Sequence, residues 1–176
     1  MDYRILAATL LAFTASACDK PATGPMSTQQ AAKEISAIQM EPGEWQIRTE
    51  ILEANAPGMP PEVLKQMTAT TSDIKHCVTP EQAANPQADF LSAQKGAGCS
   101  YDGFSMAGGR IKGSMNCSGS GGAQGKVVMN FDGRYDPRSY DMTSTMQAGG
   151  DGMNMTIKSH VTGKRVGECT AETAKG

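Results

Sequence analysis

Apolar and polar residues alternate along much of this chain, and the alternation first becomes regular at Glu44. Trp45, Ile47, Thr49 and Ile51 interleave with Gln46, Arg48 and Glu50, which predicts a strand with one buried face. Pro57, Pro60 and Pro61 end it, and residues 60–67 read as a short helix with proline in its first turn. A short strand over residues 73–78 and a helical turn at 80–84 follow.

From Cys99 onward the pattern tightens. A turn at residues 107–109 places Cys99 opposite Cys117, Tyr101 opposite Met115, Gly103 opposite Gly113 and Ser105 opposite Ile111. Directly opposed residues stand at about the separation a disulfide needs, which favours Cys99–Cys117 and leaves Cys77–Cys169 to tie the early strand to the last. Four cysteines still permit three connectivities.

A turn at 136–138 then pairs Tyr135 with Tyr140, Gly133 with Met142, Phe131 with Ser144 and Met129 with Met146. A further turn at 149–152 pairs Met146 with Met153, Ser144 with Met155 and Met142 with Ile157. All of these fall on one face. The other face collects Asn130, Asp132, Arg134, Asp141, Thr143, Thr145, Asn154, Thr156, Lys158 and His160, interrupted mainly by Val128. A one-residue slip would turn a row of methionines into water, so the pattern itself is expected to fix the register. The expected fold is mainly β: an antiparallel meander that curls into a partial or closed β-barrel, with one or two short helices. Gly103, Gly113 and Gly133 lie inside strands and permit the necessary bends.

Composition narrows the function. The chain has 176 residues, enough for one domain plus tails, and its 16 basic against 18 acidic residues provide no field for nucleic acid. Residues 1–17 read as an export signal: Arg4, an apolar run from Ile5 to Phe13 too short to span a bilayer, then Ala15-Ser16-Ala17 before Cys18. Small residues ending at a cysteine resemble the bacterial lipoprotein box, which makes Cys18 the expected lipidation site. The competing reading is an ordinary cleavage site at Ala15-Ser16-Ala17. Removing Cys18 from the five cysteines leaves an even set for an oxidising compartment. The expected location is the periplasmic side of the bacterial envelope, lipid-anchored, with the choice between inner and outer membrane open. Residues 18–40 read as a flexible tether with a brief helical stretch at Gln29 to Ile38, 41–170 as the β domain and 171–176 as a disordered tail.

Four short pieces together resemble a family of small bacterial envelope proteins, the domain of unknown function DUF3617. They are Pro42-Gly43-Glu44-Trp45, Cys77-Val78-Thr79-Pro80-Glu81, the paired Cys99 and Cys117, and Thr162-Gly163-Lys164-Arg165-Val166-Gly167-Glu168-Cys169. The resemblance implies an exported, often lipid-anchored β-rich protein and carries over no activity.

Candidate chemistry is sparse. Residues 119–126 superficially resemble a phosphate loop, but Ser120 replaces its first glycine and Val127 its magnesium-binding hydroxyl. His76 and His160 lack the spacing of a zinc site or a nucleophile–base pair. Asp132 and Asp141 read as solvated carboxylates, and Asp151 has too few neighbouring oxygens for calcium. No catalytic residue, metal site or cofactor is expected. Met129, Met142, Met146, Met153 and Met155 form the one distinctive constellation. Core packing is the plain explanation, a cavity that adapts to apolar ligands the sharper one, and Cu(I) ligation by soft thioethers the third. The expected role is a non-catalytic lipoprotein binding an apolar ligand. The alternative is an envelope scaffold or assembly factor binding a protein partner.

Overall fold

The long strands dictated by the alternation are β2 (Gly43–Asn55), β3 (Thr71–Val78), β4 (Cys99–Ala107), β5 (Arg110–Ser118), β6 (Lys126–Asp136), β7 (Ser139–Gly150) and β8 (Met153–Gly167). A two-residue strand, β1 (Met26–Ser27), joins them in a computed structural model that describes residues 24–93, 95–96, 98–118, 125–150, 153–171 and 173. The expected export signal, Cys18, the glycine-rich stretch at 119–124 and Asp151 lie outside those residues, as does the side chain of Met153.

All eight strands belong to one antiparallel sheet, ordered β1-β4-β5-β6-β7-β8-β2-β3. The meander runs from β4 to β8 as expected, β2 adds to its far side, and β1 and β3 are the two edges. The sheet is therefore open. Cys99–Cys117 and Cys77–Cys169 are both formed.

Two registers differ from expectation. The β7–β8 hairpin turns two residues later, so Met146 faces Ile157, Ser144 faces Ser159 and Met142 faces Val161. This slides β8 by four residues, and an even shift leaves every side chain on its original face. In β4 an irregularity between Asp102 and Ser105 sets Met106, not Ser105, opposite Ile111. Gly103 takes φ +57° there, a left-handed conformation that glycine adopts without strain, and Phe104 and Met106 both turn inward.

Four helices occur among the described residues, not one or two: α1 (Thr28–Ser36), α2 (Pro61–Ala69), α3 (Pro80–Ala84) and α4 (Pro86–Ala93). Ser27 and Gln30 form a capping box at the start of α1, as Thr79 and Gln82 do for α3. The tether expected through residue 40 is corrected accordingly, since Ala31, Ala32 and Ile35 of α1 are core residues. Together with Tyr101, Phe104 and Met106, Ala31 and Ile35 form a cluster against which Phe90 of α4, Met115 and Phe131 pack. Its rings meet in sequence, Phe90 to Tyr101 at 5.6 Å, Tyr101 to Phe104 at 5.7 Å and Phe104 to Phe131 at 5.8 Å. The dry face is thus roofed at its β4–β5 end.

Candidate functional site

Beyond β5 the apolar face stays accessible. Ladder pairing puts Met115 beside Met129, Met129 beside Met146 and Met146 beside Ile157. Met142 stands between Gly133 and Val161, and Met155 beside Ala148. Of the five methionines singled out from sequence, Met129, Met142, Met146 and Met155 share this face. Met153 opposes Gly150 on the same parity through its backbone. A water-shielded lining was expected, but those four are only partly buried, and among the described residues no helix lies over β6 to β8 as α1 lies over β4. Met115 adds a thioether to the row that was not among the five.

A slot of about 200 Å³ opens at the Tyr140 end of this face, lined by Met40, Trp45, Ile47, His76, Gln82 and Tyr140 among others. Trp45 is only 1% exposed, and its ring stacks on Tyr140 with centroids 6.1 Å apart and planes 18° from parallel. The two come from β2 and β7, with β8 between them. Gly163 of β8 makes this contact possible, since any side chain there would collide with the Tyr140 ring. Burial pushes the Tyr140 phenol up from its ordinary pKa. Trp45 donates from Nε1 to the Glu41 carbonyl at 3.0 Å, which fixes the indole edge. Tyr140 and Met142 are neighbours on one face of β7, so the slot continues into the methionine rows.

On the opposite face a polar frame holds this end of the sheet. Glu44, 5% exposed, accepts from Lys75 at 2.8 Å and from the Thr170 and Thr173 hydroxyls at 3.3 and 3.2 Å. The Lys75 hydrogen bond, chiefly, holds the Glu44 carboxyl below its ordinary pKa, against desolvation. On the Trp45 face itself, Arg165, which stands opposite Trp45, donates from Nε to the Pro42 carbonyl at 2.7 Å and pairs with Glu168.

These contacts gather three of the four sequence pieces singled out earlier. Glu44 pairs with Cys77 and Gly167, Trp45 with His76 and Arg165, and the Cys77–Cys169 bond closes the set. The sequence profile of a family described as a protein of unknown function, DUF3617, matches residues 40–169. The chain belongs to the DUF3617 family. Comparison with curated proteins and with solved structures finds no match. The matched span of this DUF3617 protein includes the slot, the methionine rows and both disulfides, and leaves out β1 and α1.

Other residues weighed from sequence stand apart from this site. His160 hydrogen-bonds Asp141 at 2.8 Å and Asp132 pairs with Arg110 at 3.4 Å, both on the polar face. Two serine hydroxyls facing each other within the methionine rows, Ser144 and Ser159, bond to one another at 2.8 Å. The row that contains them carries Phe131 on one side and Ile51 on the other, so it supplies no base. His76 is the one histidine on the slot.

Sequence reasoning missed the slot residues Trp45, His76 and Tyr140 as a group. Their alternation was visible, but the β2–β8 pairing that brings Trp45 within reach of Tyr140 has no local signature. The small residue at Gly163, opposite Tyr140 and Ile47, was the available clue.

Proposed function

We propose that this DUF3617 protein is a non-catalytic lipoprotein of the bacterial envelope that binds an apolar molecule along the unroofed face of β6, β7 and β8. The observation that carries the reading is the partial exposure of Met129, Met142, Met146 and Met155 on one sheet face, continuous with the Trp45–Tyr140 slot. Methionine is unbranched and polarizable, so such a face adapts to a flexible chain without a fixed shape. The slot is smaller than the roughly 300 Å³ usual for whole ligands. It suits one end of an apolar chain, with the methionine rows accepting the remainder.

Anchoring at Cys18 fits this role. Because the first described strand starts at Met26, an extended chain from Cys18 would hold it within at most about 27 Å of the bilayer. Cys18→Ser is expected to release the protein from membranes, and continued membrane association would refute lipid anchoring.

Native mass spectrometry of protein purified from its own envelope tests the binding role. A retained lipid-sized mass, lost in Met129→Gln/Met146→Gln, is expected. A clean apo mass accompanied by a second polypeptide would favour the scaffold reading, for which the long exposed edge strand β3 is the supporting observation.

A further inference from the structure

The two edges of the sheet are unequal. β1 is two residues long and is followed directly by α1, which packs on β4. β3 is eight residues long, bonds only to β2, and has Thr71, Ser72, Asp73, Ile74 and Lys75 all exposed. Ile74 is 53% exposed and extends the dry face past Ile47. An edge of this length, carrying an apolar residue at its centre, is a template for another strand.

Its sequence selects which strand. If two copies of β3 pair antiparallel about a two-fold axis, opposed residues must lie on the same face, so the axis passes through a residue. An axis at Asp73 sets two carboxylates against each other, and one at Lys75 sets two ammonium groups against each other. Like charges directly opposed destabilise a ladder. An axis at Ile74 does the reverse. It stacks Ile74 on Ile74, sets Asp73 of each copy against Lys75 of the other, and sets Ser72 against His76. Both charged residues lie on the polar face, where Asp73 also meets Arg48 at 3.2 Å and Lys75 meets Glu44 at 2.8 Å. The new pairs therefore extend an existing row of alternating charge.

We propose that the β3 edge is a self-association surface, and that two copies of this chain join through β3–β3 pairing centred on Ile74 into one continuous sheet. The inference is independent of the apolar-ligand reading, since the ladder uses the strand edge and leaves the β6–β8 face open. One strand pair covers less area than a permanent interface, so the dimer is a reversible one.

Sedimentation velocity on the purified full chain, from about 1 to 500 µM, should show a monomer–dimer equilibrium. Asp73→Lys, which turns two attractive contacts into two repulsive ones, should weaken it about tenfold, while the loss of the exposed Asp73–Arg48 pair lowers the thermal midpoint only slightly. Ile74→Cys should form a covalent dimer under mild oxidation, because the axis brings the two sulfurs together. Ser72→Cys should not, because its copies stand four residues apart along the strands. A monomer at every concentration, equal cross-linking of the two cysteine variants, or a different polypeptide occupying the β3 edge in protein from the envelope would overturn the proposal. Should Asp73→Lys fail to fold, the cysteine pair still decides between these outcomes.

Discussion

The apolar face of this sheet has two regions built on the same alternation and finished differently. Over β4 and β5, α1 and α4 close a core of Ala31, Ile35, Tyr101, Phe104 and Met106, none more than 9% exposed. Over β6 to β8, most residues of the same parity remain partly exposed, Met129, Met142, Met146 and Met155 among them. Aromatic rings with few rotatable bonds fill the covered region, where a fixed neighbour exists to pack against. Unbranched thioethers occupy the uncovered one, where the neighbour is water or a variable ligand. Roofing, and not sequence hydrophobicity, separates core from candidate surface here.

Truncating one residue in each region gives the sharpest contrast. Phe104→Ala should cost about 3–5 kcal/mol of stability, whereas Met142→Ala should cost only about 1–2 kcal/mol because part of its surface is already hydrated. Urea unfolding of both variants measures the difference, and equal losses would mean that the methionine region is as well packed as the aromatic one. Next in size is the staple of the roofed region. Breaking Cys99–Cys117, with its sequence separation of 18, should lower stability by about 3 kcal/mol in the same assay and leave a ligand held by the methionine rows in place.

Replacing Met129 and Met146 together by leucine should change stability by less than about 1.5 kcal/mol, since the swap conserves volume on a partly open face. A larger loss would expose a packing role for those side chains.

The smallest effect concerns the polar frame beneath the unroofed region. Glu44 has a folded-state pKa below its unfolded one, so its stabilisation is complete above the ordinary carboxylate range and disappears as pH falls through the lowered value. Thermal melts between pH 7 and pH 2 should therefore fall more steeply in the parent protein than in Glu44→Gln. Parallel profiles would remove Glu44 from the acid response.

Much of the sheet was legible in the sequence because alternation is a local property. The β6–β7 register, the Cys99–Cys117 pairing and the shared face of Met129, Met142, Met146 and Met155 all follow from tight turns between strict period-2 strands. The β7–β8 register was misjudged for a reason that alternation cannot repair, since moving the turn along Gly149-Gly150-Asp151-Gly152 in steps that slide β8 by even numbers leaves all faces unchanged. The brief helix at Gln29 to Ile38 was legible, but its place in the core was not, because polar Gln29, Gln30, Lys33 and Glu34 dominate the segment, while only Ala31, Ala32 and Ile35 face the core. Three small or aliphatic positions at helical spacing are a weak signal until a partner surface is known. The slot was hidden for a related reason, its walls lying more than ninety residues apart in the chain.

By itself the sequence determined the strand content, the assignment of side chains to a dry and a wet face, and the pairing of cysteines across the first hairpin. Those features are set by the two-residue repeat of an extended backbone and by turns of a few residues. Only the tertiary structure decided where the sheet stops, that β2 pairs with β8 so that Trp45 reaches Tyr140 over Gly163, and which stretch of the dry face receives a helical cover. Each of these depends on closing a long loop between distant segments, and a local pattern of polar and apolar residues is the same whether or not that closure takes place.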